Sequence, residues 1–142
     1  MYRVTREIDF CYGHRLLNYE GKCRYLHGHN GRAVITIESP TLDHRGMVLD
    51  FSDIKRDVSS WIDATLDHRM ILNRNDPVIP YLQKLDERVY LMDENPTAEN
   101  IARLIFEFAV GHGYPIVQVQ LWETPRCFAT YWRAQENGPG GC

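Results

Sequence analysis

The chain has 142 residues, of which 44% are hydrophobic and 25% are charged, and this composition is typical of a single globular domain. A formal net charge of −3 argues against a broad phosphate-binding surface, so we expect no nucleic-acid partner. The sequence contains no apolar run long enough to span a membrane and no signal-peptide core at its N-terminus, so we expect a cytoplasmic protein with no membrane partner. The four cysteines include no C-x-x-C pair, and we expect them to be reduced.

Four segments have the pattern of β-strands. Residues 2–11 alternate between apolar and polar positions, as in a strand with one buried face. Residues 32–38 are rich in β-branched side chains and end just before a proline, which cannot donate to a strand ladder. Residues 116–123 and 127–133 also alternate, and the residues 124–126 between them suit a hairpin turn.

Two segments have the spacing of amphipathic helices. Between residues 51 and 66 the apolar positions recur at intervals of three and four, and Asp50 or Ser52 is placed to cap this helix. Thr97 is the candidate N-cap of a second helix, whose end is marked by a pair of glycines. The element order is therefore β-β-α-α-β-β. It predicts an α+β fold in which two helices cover one face of a four-stranded antiparallel sheet.

Two regions fall outside this scheme. Residues 73–96 form a long connection that contains three prolines, and within it residues 85–92 are a candidate short strand. Residues 135–142 are rich in glycine and have no apolar anchor, so we expect a disordered tail after a single domain over residues 1–134. The edges of the predicted sheet are unpaired, which favours pairing between copies, so we expect a homo-oligomer.

Three histidines are spaced so that they can bind one metal ion. His27 and His29 project to the same face of an extended strand. We expect the first two strands to pair antiparallel, so that His14, just after the first strand, can meet them. Three neutral imidazoles with one open coordination position are typical of a catalytic zinc site. An H-x-H pair by itself, however, more often consists of ordinary surface or core histidines.

Cys23 lies four residues before His27, and two interpretations of it are open. A thiol beside a zinc ion or a basic side chain is more readily deprotonated, and it can then act as a base. Alternatively, Cys23 is a fourth zinc ligand, which would give a closed structural site with one cysteine and three histidines.

Two further positions are candidates for proton transfer and ligand binding. Asp67 precedes His68 at the end of the first predicted helix, and an aspartate that orients a neutral imidazole is a common proton relay. The same pair also fits a histidine that stabilises a helix C-terminus. Glu123 ends a predicted strand, where its carboxylate can accept two hydrogen bonds from an amidine-like ring edge. Taken alone, such a glutamate is more often a solvated charge.

Six short motifs together resemble a known enzyme family. In chain order they occupy residues 10–16, 23–30, 46–51, 66–68, 94–99 and 122–125. Across residues 3–132 the sequence is similar to the 6-pyruvoyltetrahydropterin synthase and 6-carboxytetrahydropterin synthase family. The spacing of four residues from Cys23 to His27 is similar to that of the bacterial 6-carboxytetrahydropterin synthases of queuosine biosynthesis. The animal pyruvoyl enzymes have a longer spacing.

The resemblance implies the tunnelling fold, whose subunits assemble into a barrel, commonly as a hexamer made of two trimers. It also implies a carbon–carbon lyase that converts 7,8-dihydroneopterin triphosphate to 6-carboxy-5,6,7,8-tetrahydropterin, acetaldehyde and triphosphate. The alternatives are the triphosphate-eliminating 6-pyruvoyl enzyme and a non-catalytic, zinc-stabilised pterin-binding module. The resemblance implies these roles: zinc ligands His14, His27 and His29, proton acceptor Cys23, proton relay Asp67 and His68, pterin anchor Glu123, and pterin-pocket residue Thr97.

Two features bear on the substrate. The connection over residues 73–94 is longer than in the shortest bacterial members of the family, and it can reshape a pocket rim or an interface. Four basic residues near the metal motif are candidates for binding a triphosphate: Arg15, Lys22, Arg24 and Arg32. For any one of them, an ordinary solvated charge is the alternative.

Overall fold

The computed structural model describes residues 1–133, so the end of the predicted domain and the predicted tail lie outside the described residues. The strands are β1 Tyr2–His14, β2 His27–Ser39, β3 Arg69–Asn73, β4 Val89–Met92, β5 Ile116–Thr124 and β6 Cys127–Trp132. The α-helices are α1 Phe51–Ile54, α2 Ser60–Thr65, α3 Ile79–Lys84 and α4 Ala98–Gly111. All six strands belong to one sheet, in the order β4-β3-β1-β2-β5-β6.

The sheet contains the predicted antiparallel strands and two more. The predicted antiparallel arrangement of the four strands is confirmed, with β1 paired to β2 and β5 to β6. The structure adds that β2 pairs with β5, also antiparallel. The predicted number of four strands is wrong, because β3 pairs in parallel with β1, and β4 pairs in parallel with β3. The candidate strand within residues 85–92 is confirmed as β4. The sequence does not predict β3, since its five residues are too few to show an alternating pattern.

The first predicted helix is confirmed, with a wider turn in its middle. Lys55–Ser59 forms a π-helical segment that joins α1 to α2. Asp50 is the N-cap, because its carboxylate accepts the backbone N–H of Ser52 at 2.8 Å. Among the helices of residues 1–133, none is both long and apolar enough to cross a membrane.

The second predicted helix is α4. Its N-cap is Thr97, whose hydroxyl oxygen accepts the backbone N–H of Asn100 at 3.2 Å. The helix packs against β5 and β6 and buries Ile101 and Ile105 completely. The long connection before it contains α3 as well as β4, and α3 is a helix that the sequence pattern does not predict.

One face of the sheet carries the apolar core, and α1, α2 and α4 cover it. The strand side chains that face the core come from alternate positions: Ile8 and Phe10 in β1, Ala33, Ile35 and Ile37 in β2, and Val119 and Leu121 in β5. The same alternation, continued along these strands, gives a second set on this face: Tyr12, His14, His27, His29 and Glu123. This second set, which includes the three candidate metal ligands and Glu123, therefore lies at one end of the core.

A buried ion pair ties the chain after β1 to the long connection. The Asp76 side chain is fully buried and accepts two hydrogen bonds from the Arg15 guanidinium, of which the one from Nε measures 2.7 Å. Burial alone would raise the pKa of Asp76, but the hydrogen bonds from Arg15 and from the backbone N–H of Val78 hold it below its ordinary value. The pair therefore fixes the segment that directly follows His14.

We expect Asp76→Ala to lower the free energy of unfolding by about 2–3 kcal/mol, because it removes charge-assisted hydrogen bonds and leaves Arg15 without its partner. Chemical denaturation at neutral pH measures the loss. Asp93→Ala is the matched control, since it removes an exposed ion pair with Arg74 and should cost less than about 0.5 kcal/mol. Equal losses in the two variants would contradict the expectation.

Candidate active site

The three predicted metal ligands converge where β1 ends and β2 begins. His14, the last residue of β1, is directly paired with His27, the first residue of β2, and His29 lies two positions further along. One ligand nitrogen from each of the three side chains lies within 4.8 Å of the other two. This spacing suits three ligands of a single metal ion.

Hydrogen bonds orient two of these rings. His14 Nδ1 lies 2.7 Å from the carbonyl oxygen of Pro96, and His27 Nδ1 lies 2.7 Å from that of Tyr25. A carbonyl oxygen only accepts, so Nδ1 carries the proton in each ring, and Nε2 presents its lone pair. Metal-ligating histidines are commonly held in this way by a second hydrogen bond.

Within the described part of the chain, two of the three Nε2 atoms have no hydrogen-bond partner. Among residues 1–133, Nε2 of His14 and of His29 are buried and form no hydrogen bond. Burial lowers the pKa of His14 below its ordinary value, which favours the neutral imidazole that binds metal ions. Buried nitrogens without partners are uncommon, and a metal ion at this position would satisfy them. The residues present therefore fit a metal ion that prefers nitrogen ligands.

A carboxylate and a tyrosine complete this end of the core. Glu123 Oε1 lies 3.7 Å from His14 Nε2, and Glu123 Oε2 lies 3.9 Å from His29 Nε2. The Tyr12 hydroxyl donates a hydrogen bond to Glu123 Oε1 at 3.0 Å. Burial, together with the neighbouring Glu123 carboxylate, raises the pKa of Tyr12, so the hydroxyl remains a donor. Sequence reasoning missed Tyr12, although its position two residues before His14 places it on the same face.

The side chains of Asp67 and His68 are in contact. Asp67 Oδ2 lies 2.8 Å from His68 Nδ1, and Asp67 Oδ1 accepts the backbone N–H of Cys11 at 2.8 Å. The backbone N–H of His68 donates to the carbonyl oxygen of Cys11 at 2.7 Å, so the pair is fixed to β1 at two points. His68 has a positive φ of 55° and a side chain that is 73% exposed. Its imidazole is therefore oriented by Asp67 but open to solvent.

Cys23 lies in the loop between the two histidine-bearing strands. It is half-buried within a 3₁₀ turn over Lys22–Arg24, and its carbonyl oxygen accepts the backbone N–H of Leu16 at 2.9 Å. Within residues 1–133, the group of converging ligand atoms contains the three histidines and not the Cys23 thiol. This geometry favours an open site with three ligands over the closed site with four.

Asn95 is a second residue that sequence reasoning missed. Its side-chain amide accepts the backbone N–H of Leu17 at 3.0 Å and donates to the carbonyl oxygen of Leu17 at 2.9 Å. The next residue, Pro96, supplies the carbonyl that binds His14. Asn95 therefore holds the start of α4 against the segment that follows β1. No periodic pattern reveals such a contact, because it joins residues 78 positions apart.

The site residues divide into separate groups within the chain. The histidines, Tyr12 and Glu123 are in contact, and Asp67 contacts His68. Within residues 1–133, no hydrogen bond or ion pair joins the side chain of Cys23 or of Thr97 to either group. The hydroxyl oxygen of Thr97 serves instead as the cap of α4.

Comparison with known proteins identifies the family. Residues 3–134 match the family model described as 6-pyruvoyl tetrahydropterin synthase. The chain belongs to this family. The predicted family, the prediction of an enzyme and the α+β tunnelling fold of the subunit are thereby confirmed.

Members of the 6-pyruvoyl tetrahydropterin synthase family from several organisms are similar over nearly the whole chain. The 6-carboxy-5,6,7,8-tetrahydropterin synthase of Rickettsia bellii is 38% identical over 137 residues, which cover 90% of this chain and 98% of that protein. The enzyme of the same name from Haemophilus influenzae is 33% identical over 139 residues, covering 92% and 99%. The 6-pyruvoyl tetrahydropterin synthase structure from Caenorhabditis elegans has a TM-score of 0.72 at 26% identity, covering 94% of this chain and 96% of that chain.

Two open clefts meet at the histidine motif of this family member. The first has a volume of about 890 Å³, and Asp67, His29 and Glu123 are among its lining residues. The second has a volume of about 730 Å³ and is lined in part by His68 and His29. Residues 82–88, at the end of α3 and after it, form one wall of the second cleft. Part of the long connection thus lines a cleft.

Two of the basic residues proposed for a triphosphate are already paired. Arg15 binds the buried Asp76, and Arg32 lies against the carboxylates of Asp9 and Glu7. An arginine that a carboxylate neutralises attracts a phosphate less strongly. Within the chain, these carboxylates therefore compete with a phosphate for both arginines.

Proposed function

We propose that this protein is a zinc-dependent lyase that converts 7,8-dihydroneopterin triphosphate and water to 6-carboxy-5,6,7,8-tetrahydropterin, acetaldehyde and triphosphate. The observation that carries the proposal is the group of three converging histidines beside the Glu123 carboxylate. It occurs in a chain 38% identical to a protein named 6-carboxy-5,6,7,8-tetrahydropterin synthase. By the resemblance to the bacterial enzymes, the reaction is a step in queuosine biosynthesis, and the protein acts in the cytoplasm.

The proposed zinc ligands are His14, His27 and His29. Three neutral imidazoles are a common ligand set of catalytic zinc, and they leave one coordination position open. A zinc ion held there would act as a Lewis acid on the side-chain hydroxyls of the substrate, making the adjacent C–H more acidic.

Cys23, Asp67 and His68 are proposed to move protons. The Cys23 thiolate would remove the proton from the side-chain carbon that carries a hydroxyl. Asp67 accepts the Nδ1–H of His68, which leaves Nε2 of that ring free to take up and release protons. His68 would deliver protons during loss of the triphosphate and cleavage of the side chain.

Glu123 and Thr97 are proposed to bind the pterin. One oxygen of the Glu123 carboxylate already accepts from Tyr12, and the remaining acceptor positions suit the ring N–H and amino group of a pterin. Thr97 is included because its neighbour, Pro96, binds His14, which puts this turn beside the metal ligands.

We propose that the active site is completed between copies of the chain, in a hexamer made of two trimers. Two observations support a shared site. His68 is exposed, and within residues 1–133 no hydrogen bond or ion pair joins Asp67 or His68 to the three histidines. Two aromatic side chains of β6 support pairing at that edge of the sheet, since Phe128 is 47% exposed and Trp132 is 61% exposed.

The proposed function is tested by identifying products. We expect the zinc-loaded protein, incubated with 7,8-dihydroneopterin triphosphate, to release 6-carboxy-5,6,7,8-tetrahydropterin and acetaldehyde in equal amounts, measured by mass spectrometry. Formation of 6-pyruvoyltetrahydropterin without acetaldehyde would instead assign the triphosphate-eliminating reaction. Binding of the substrate with no product would favour a non-catalytic pterin-binding module.

A further inference from the structure

The Glu123 carboxylate lies between two competing partners. On one side, the Tyr12 hydroxyl donates to Oε1 at 3.0 Å. On the other side, its oxygens are 3.7 Å from His14 Nε2 and 3.9 Å from His29 Nε2, the nitrogens that face the metal position. The carboxylate thus neighbours the position that a metal ion would occupy, and a small rotation of the side chain would bring an oxygen to that ion.

Capture of the carboxylate by the metal ion would change the site. A cation attracts a carboxylate strongly in a part-buried environment, and three histidines with one carboxylate form a closed, four-coordinate site. Such a site offers no position to a substrate hydroxyl, and Glu123 could no longer accept hydrogen bonds from a ligand ring. The hydrogen bond from Tyr12 opposes this capture, because it favours the position in which the carboxylate is seen.

The surroundings of Tyr12 fix the direction of its hydroxyl. The residue is 3% exposed, and its ring stacks on Phe10 at a centroid distance of 5.3 Å. On the neighbouring strand, Gly31 leaves room for the ring, because a Cβ at this position would lie 2.8 Å from a ring carbon of Tyr12. The hydroxyl is therefore held in place before any ligand binds, and it loses little conformational freedom in making the bond.

We infer that Tyr12 is a positioning residue for the active site. Its hydroxyl keeps Glu123 available as the anchor of a bound ring and prevents the carboxylate from becoming a fourth ligand of the metal ion. The identity of the ring as a pterin rests on the proposed function, whereas the effect on metal coordination does not.

The test is Tyr12→Phe, which removes the hydroxyl and retains the ring. We expect the visible absorption spectrum of the cobalt-substituted protein to change, because a carboxylate oxygen enters the coordination sphere of the ion. We also expect the Kd for neopterin, a fluorescent pterin that retains the ring edge, to rise about tenfold. The reason is that the captured Glu123 carboxylate no longer accepts a charge-assisted hydrogen bond from the ring. With Glu123→Gln already present, Tyr12→Phe should alter neither quantity further.

Tyr114→Phe is the matched control. The Tyr114 hydroxyl donates to the Asp57 carboxylate at 2.6 Å, so this variant loses the same kind of bond away from the histidines. It should leave the cobalt spectrum and the neopterin Kd unchanged. An unchanged spectrum in Tyr12→Phe, or a protein that binds no cobalt, overturns the inference. The two proposals can fail separately. If the cobalt spectrum changes in Tyr12→Phe but the wild-type protein forms no product, the inference is sustained and the proposed function is overturned.

Discussion

Replacing Cys23 with alanine is expected to lower kcat by about 10²–10⁴-fold, the usual contribution of a positioned base, while each subunit keeps one zinc ion. The reason is that the three histidines converge without the Cys23 thiol, so the metal site should survive its removal. Steady-state rates of product formation, together with the zinc content of the same preparations, measure the two effects separately.

The matched control for this prediction is Cys127→Ala. Cys127 is an exposed free cysteine at the start of β6, so its loss should leave both kcat and zinc content unchanged. Loss of zinc and of folding stability in Cys23→Ala would instead identify Cys23 as a structural ligand, because closed zinc sites contribute directly to folding. Full activity in Cys23→Ala would exclude it as the base.

Replacing His27 with alanine is expected to abolish both turnover and stabilisation by zinc. In the wild type, free zinc at 100 times its Kd should stabilise the fold by about 2.7 kcal/mol, seen as a higher Tm. Removing one of three ligands should weaken zinc binding by more than about 100-fold, since the loss of an outer-shell partner already costs 10–100-fold. The added zinc should then leave the Tm of the variant unchanged.

The control here is a histidine away from the metal position. His112 is the C-cap of α4, and its ring lies against the carbonyl oxygen of Phe108. His112→Ala should retain the full rise in Tm on adding zinc. If His27→Ala showed the same rise as the wild type, the three-histidine site would be wrong. Competition with a chelating dye gives the two zinc affinities independently.

The features that were predictable from sequence depend on local geometry. Side chains at i and i+2 of a strand share a face, so the sequence alone places His27 and His29 on the same face of β2. The caps formed by Asp50 and Thr97 likewise depend only on the residues within one turn of each helix start. The roles of the catalytic and binding residues came from the family motifs and remain proposals.

β3, the strand that was missed, shows where local patterns end. β3 has five residues, and it is stabilised by parallel pairing with β1 on one side and β4 on the other. Its place in the sheet depends on these neighbours more than on its own alternation. The same pairing brings Asp67 and His68, just before β3, against Cys11 in β1. The position of the proposed proton relay thus follows from sheet assembly.

By itself, the sequence determined the four longer strands, the two amphipathic helices, the histidine motif and the family. Only the tertiary structure decided which distant residues support the motif. Tyr12 contacts Glu123 across 111 positions of the chain, and His14 contacts Pro96 across 82. Such contacts depend on strand register and on the packing of α4 against the sheet. A shift of one residue in register would turn the strand side chains Tyr12, His14 and Glu123 to the other face.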